Sequence, residues 1–169
     1  MDHRLQMLQR EIAAAVEGMT PKQMIFHRAG KWSAAEVLEH LYLTYTGTIK
    51  GFSRVAAGRH SPSGPTWKHR MLRFVVLGLS HMPTGREAPP HTRPRGLPVE
   101  KVVAEIGPTI SEMDETISRW ERTLGGGRLL DHPILGPLTG AGWRKFHLVH
   151  GRHHLKQIHR LRRSFHGGR

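Results

Sequence analysis

The amino-acid sequence predicts an all-α protein: an antiparallel four-helix bundle with a long crossover between its second and third helices. Four segments repeat apolar residues at three- and four-residue steps, as helices with one buried face do, and no segment shows strand alternation. Between the second and third of these segments, residues 58 to 98 are rich in glycine and proline, which suits a crossover rather than another long element. The chain of 169 residues is long enough for one hydrophobic core and short for two, so residues 1 to 169 read as a single domain.

The first helix carries Leu5, Leu8, Ile12, Val16 and Met19 along one stripe, and "GMTPKQ" ends it. The second opens at "WSAAEVLEHL". There Ser33 and Glu36 stand in the S-x-x-E spacing of a capping box, in which hydroxyl and carboxylate each satisfy a free backbone amide. Its stripe continues through Val37, Leu41, Tyr45, Thr48, Phe52 and Val55. The crossover holds one apolar segment, "WKHRMLRFVVLGL", with room for a short helix. The third long helix has the cleanest period, Val99, Val102, Ile106, Ile110, Met113, Ile117, Trp120 and Leu124. Pro108 lacks a backbone donor, so a kink or two abutting helices are expected there, and the glycines at 125 to 127 end the helix. The last helix runs from about Thr139 to about Phe165.

Composition sets bounds on function. With 37% hydrophobic and 23% charged residues the chain reads as globular, and no apolar run approaches the roughly 20 residues that span a bilayer, so no membrane partner is expected. The N-terminal segment is amphipathic and carries Asp2 and Glu11, unlike a signal peptide, and the expected location is the cytoplasm. The absence of cysteine excludes disulfides, thiolate ligands and a protein thiol nucleophile. A formal charge of +13 favours anionic partners and raises the question of nucleic acid.

Histidine is the unusual feature, with 14 in the chain and five between His147 and His159. On a helical wheel centred on His150, Trp143, Phe146, His154, Gln157 and Leu161 fall within about 40°. Lys145, Arg152, Lys156, His159 and Arg163 lie on the opposite face. The His150/His154 pair therefore sits in the face that packs inward, apart from the basic strip. Buried imidazoles one turn apart are poor packing partners for each other and good ligands for one metal ion. The alternative is a pair of core histidines satisfied by nearby carbonyl or hydroxyl groups. A third ligand has to come from another helix, and His40, beside Val37 and Thr44 on the second, is the best placed. The same residue also fits a half-exposed histidine without a ligand role. His60, His69, His81 and His91 in the crossover are expected at the surface.

"WSAAEVLEHL", followed by "HPILGPLTGAGWRKFHLVHGRHHLKQI", resembles the DinB-like superfamily of metal-binding four-helix bundles. The similarity is greatest to a branch of unknown function marked by HP and G-x-L-T ahead of a tryptophan and an H-x-x-H-H-x-x-Q helix. The resemblance implies a divalent metal, zinc or nickel, held by His40, His150 and His154. It places His153 at the neighbouring histidine that is usually not a ligand, and Gln157 at a glutamine suited to supporting one. The chain departs from the pattern with "HHLKQ" for the commoner "HHRGQ", and with Gly142 where an acidic residue often stands.

Three imidazoles with an open coordination position would suit an enzyme that activates a thiol or water toward a small-molecule substrate. Characterised relatives include thiol-dependent S-transferases and isomerases, and without cysteine any such chemistry here needs an external low-molecular-weight thiol. Hydrolysis would need a general base, for which Glu36, one turn before His40 and on a similar face, is the candidate carboxylate, in competition with its capping role. The reading from a different class is a non-catalytic basic bundle that binds nucleic acid or a protein partner through the outer face of the last helix. A homodimer through the apolar crossover is a further possibility.

Overall fold

The computed structural model describes residues 1–56, 64–83, 85, 87–125 and 127–167. The protein is mostly helical. Its long helices are α1 (His3–Val16), α3 (Ala34–Ala56), α5 (Val99–Leu124) and α6 (Gly140–Gly167). Short elements join them: α2 (Pro21–Ile25), α4 (Trp67–Arg73) continued by a π turn over Phe74–Gly78, a 3-10 turn over Pro90–Thr92, and strands β1 (Leu130–His132) and β2 (Gly136–Leu138).

Local chemistry explains the boundaries. Asp2 caps α1 by accepting from the Arg4 amide. The expected capping box on α3 forms in full. The Ser33 amide and hydroxyl both donate to Glu36 Oε2, at 2.7 and 2.9 Å, and the Glu36 amide donates to Ser33 Oγ at 3.2 Å. At the other end of the chain's core, Thr139 accepts from the Gly142 amide and starts α6. Gly125 closes α5 with a left-handed φ of 71°, a conformation that suits glycine. The expectation of a break at Pro108 is not met as two helices: α5 is one continuous helix through it. Gln9 from α1 donates to the Gly107 carbonyl and to Ser111 Oγ, bracing that turn from outside.

Two short elements escaped the periodicity. The turn-and-proline segment after Met19 holds α2, capped by a Thr20/Gln23 box, and "LDHPILGPL" forms an antiparallel hairpin pairing Leu130 with Leu138. Strands of three residues are too short to show an alternation. In the crossover His69 is half-buried rather than at the surface, packed against Gly136, while His81 and His91 are exposed; His60 lies outside the described residues.

The apolar stripes meet in one core that includes Leu5, Leu8, Leu38, Leu41, Tyr45, Phe52, Ile110, Met113, Ile117 and Ile158. Leu124, at the end of its stripe, is 46% exposed. Polar clamps fix the helices against each other. Buried Arg144 on α6 reaches Asp114 and Glu121 on α5, both at 2.6 Å, and Ser118 at 2.7 Å. Tyr42 on α3 donates to Glu105 on α5 at 2.7 Å. Helix α1 packs tightly on α6 at Gly151, where a Cβ would fall 2.5 Å from Leu8 Cδ1. No helix among the described residues is long and apolar enough to cross a membrane.

Because Leu8 is fully buried, it has no space to yield to a branched side chain at 151. Replacing Gly151 by Val is expected to lower unfolding free energy by about 1–3 kcal/mol, the usual range for an overpacked core, measurable by urea denaturation.

Candidate metal centre

His40 lies in the second turn of α3, and His150 and His154 lie one turn apart on α6. The three offer ligand nitrogens that all fall within 4.8 Å of one another, the spacing of a group able to hold one metal ion. His150 Nε2 is 3.3 Å from His40 Nε2 and 3.2 Å from His154 Nε2. Nitrogens about 2.0–2.1 Å from a tetrahedral zinc stand about 3.3 Å apart, so the present separations match that donor set.

The opposite edges of two rings decide which nitrogen is free. His40 Nδ1–H donates to the Thr92 carbonyl at 2.8 Å, and His154 Nδ1–H donates to Gln157 Oε1 at 3.0 Å. A neutral imidazole with its proton on Nδ1 keeps a lone pair on Nε2, and both of those lone pairs point toward His150. Gln157 is held in turn by its amide, which donates to His153 Nε2 at 3.3 Å. His150 Nδ1 is buried and has no hydrogen-bond partner among the described residues.

Aromatic rings close the surroundings. Trp32, just ahead of the α3 cap, packs on His40 and His154 with ring centres 5.1 and 6.4 Å away. Phe146 stacks on His150 at 5.3 Å and 14°. This low-dielectric setting disfavours the imidazolium form. Burial lowers His40 and holds His150 well below the ordinary histidine range, and it brings His154 down to about 3, with neighbouring imidazoles adding to all three. All three rings are therefore neutral at physiological pH, the form that binds metal.

The crossover is part of the site because of Glu39. This buried carboxylate accepts the amides of Arg95, Gly96 and Leu97 at 2.6, 3.0 and 3.2 Å, clamping the segment that follows Thr92 onto α3. Gly96 adopts φ 81°, which lets successive amides converge on one anion. The clamp keeps the Thr92 carbonyl at His40. Neither Glu39 nor Thr92 is singled out by sequence pattern; "EHL" shows only that an acid neighbours the histidine.

The remaining site expectations divide clearly. His153 is half-buried, hydrogen-bonded to Gln157 and edge-on to His154. The Glu36 carboxylate is held by Ser33 in the helix cap. On the outer face of α6, Arg152, Lys156, His159 and Arg163 are exposed, but Lys145 is half-buried and Arg152 is paired with Glu11 at 2.6 Å.

Behind the cluster lie histidines that the wheel did not single out. His147 is fully buried beside Tyr45, Trp143 and Phe146, with Nε2 3.2 Å from Thr48 Oγ1. His132, in the hairpin, uses Nδ1 to accept the Ile134 and Leu135 amides, both at 3.1 Å. Burial takes His147 down to about 3 and His132 to about 4.

Two measurements follow from these groups. Glu39→Gln should lower stability by about 1.5–3 kcal/mol, the range for hydrogen bonds to a charged group, and should speed amide exchange at residues 95 to 97. The folded protein keeps His147 and His132 neutral, whereas in the unfolded chain they take up protons near the ordinary histidine value of 6.5. Their contribution is thus full above that pH and is lost as pH falls from 6.5 toward 4 and 3. Urea melts of metal-free protein from pH 8 to pH 4 should show this loss. His147→Leu should flatten the slope between pH 6 and 4 by up to about 1.4 kcal/mol per pH unit, the value for one proton.

No curated protein and no solved structure matches the chain. One family model does, described as a protein of unknown function (DUF1569), and the match runs over residues 4–161, nearly the whole chain, with His40, His150 and His154 inside it. The chain belongs to the DUF1569 family.

Proposed function

We propose that this protein is a divalent-metal enzyme in which His40, His150 and His154 bind zinc or nickel through Nε2 and an external low-molecular-weight thiol is activated at the open position. The observation that carries the reading is the convergence of three Nε2 atoms, separated by 3.3 and 3.2 Å at His150, with Nδ1 of His40 and His154 already committed as donors. Neutral rings whose lone pairs face each other repel unless a proton or a cation lies between them, and the three-nitrogen donor set suits a borderline-soft divalent ion. The resemblance to the DinB-like superfamily supports the same ligands, and we extend it to an antiparallel arrangement of α1, α3, α5 and α6.

Within this reading each residue has a defined task. His40, His150 and His154 bind the ion; Thr92 and Gln157 hold two of those rings in the required tautomer; Trp32 and Phe146 exclude water from their edges. When bound, the ion supplies Lewis acidity that lowers the pKa of a thiol or water placed on it. Activation of a thiol rather than water is favoured by the carboxylates. Glu36 is engaged in the helix cap and Glu39 in the 95–97 clamp, so neither stands free as the general base that hydrolysis would use. Lacking cysteine, the chain leaves the thiol to come from solution. For the nucleic-acid alternative, Arg152 is paired with Glu11 and Arg162 is turned to the Ala15 carbonyl, which leaves Lys156 and Arg163 as the exposed cations of the expected outer strip.

Elemental analysis of purified, untagged protein after zinc or nickel reconstitution should give one ion per chain. His150→Ala and His154→Ala should each abolish it, while exposed His159→Ala should keep it. Metal a hundredfold above its Kd should raise stability by about 2.7 kcal/mol, read as a shift in the thermal midpoint. Protein that stays metal-free after reconstitution overturns the reading. Turnover of an electrophile by the loaded protein should require added thiol; turnover without thiol would assign hydrolysis instead.

A further inference from the structure

Helix α4 and its π turn are apolar on two opposite faces. On the inner face Val76 is buried, and Leu72 and Leu77 pack partly against the core. On the outer face Trp67, Met71 and Phe74 are 66%, 56% and 64% exposed, and Leu79 at the end of the turn is 62% exposed. Positions 67, 71 and 74 follow the i, i+4, i+7 spacing of a single helical stripe. Ile25, Val103 and Leu124 are exposed singly elsewhere, which is ordinary; a continuous ridge of large apolar groups is not. A helix with large apolar groups on two opposite faces has a surface left for a second partner, and the core covers only the inner one.

Charge and shape select that partner. Exposed Lys68 and Arg70 flank the ridge on either side of Trp67, while Arg73 is turned inward to the His69 and Pro137 carbonyls. No aspartate or glutamate occurs between Glu39 and Glu87, so the segment carries no negative charge of its own. A second copy of the chain would bring Lys68 and Arg70 against their own kind, with a net charge of +13 on each side opposing the approach. With more than half of each side chain exposed, the ridge stands proud of the fold, and a rigid protein partner would need a groove cut to match it. A fluid bilayer accepts such a ridge without one. Phe, Met and Leu enter the acyl boundary, Trp sits at headgroup level, and Lys and Arg stems reach back to lipid phosphates.

We infer that the ridge Trp67, Met71, Phe74 and Leu79, with Lys68 and Arg70 at its flanks, docks the protein on a membrane surface rich in anionic lipid, lying in the interface without crossing it. The sequence expectation of no membrane partner rested on the missing span, which peripheral docking does not require. The inference is independent of the metal centre.

The test is flotation of the full chain with vesicles of phosphatidylcholine alone or mixed with phosphatidylglycerol. Wild type should bind the mixed vesicles at least about tenfold better than the neutral ones, and less so at high salt. The Trp67→Ser/Phe74→Ser double variant should lose that binding while keeping its circular dichroism and melting midpoint, because both side chains are exposed. Brominated lipid should quench wild-type tryptophan fluorescence, and Trp67→Phe should remove that quenching while leaving binding in place. Absence of wild-type binding overturns the inference. So does a double variant that binds as well as wild type, since charge alone would then be the cause. A wild-type dimer that the double variant turns into a monomer would show that a second copy covers the ridge, and would overturn it as well.

Discussion

An imidazole taken out of water must give each of its two nitrogens a partner, or the fold bears the cost of desolvating it unpaired. The inner side of α6 places three such rings in or beside the core, and α3 adds a fourth opposite them. Burial keeps the rings neutral, so each has one donor and one acceptor to place. His40 and His154 place their donors on Thr92 and Gln157, which leaves two acceptors aimed at a third ring. The only chemistry that satisfies all three Nε2 atoms together is a proton or cation between them.

The supporting structure is built around holding those rings. Ser33 and Glu36 fix the start of α3, and Trp32 before the cap reaches over the cluster to pack on His40 and His154. Glu39, one residue before His40, points to the crossover rather than to the rings and anchors it through three backbone amides. On the other side Arg144, sunk between Asp114 and Glu121, ties α6 to α5 nearly two turns before His150. Removing one member of that buried ion network would leave uncompensated charge, so the network contributes rigidity and registry where the histidines need it. The outward ridge on α4 stands apart from all this: its inner face joins the core, and its outer face is available to another surface.

Much of the site was legible because ligand spacing on one helix is a local property. His150 and His154 are four residues apart, and the 3.6-residue period alone directs both toward the core with Trp143 and Leu161. The capping box at Ser33 is local in the same sense. His40 was the best placed of the few histidines on the other long helices, and its wheel position fitted a half-exposed side chain as well as a ligand. The residues that escaped are those whose partners are distant in sequence. Glu39 meets residues 95 to 97, Arg144 meets Asp114, and Thr92 acts through its backbone carbonyl, which carries no side-chain signature. The hairpin at 130 to 138 escaped because strands of three residues are too short to show an alternation, and His147 because the period of α6 alone does not show that Tyr45 and Thr48 of α3 pack against it.

From its order of residues alone the chain determined four long amphipathic segments, their inward faces, the lack of any thiol of its own, and a pair of histidines one turn apart on a buried stripe. Those depend on backbone period and on side-chain chemistry, which neighbours in sequence settle between themselves. Tertiary structure decided the rest: that His40 meets the pair, which nitrogen of each ring is free, that Glu36 is consumed by its cap, and that one face of α4 is left uncovered. These outcomes follow from which surfaces meet when helices pack, and nothing in the period of a single helix specifies the chemistry of the surface opposite.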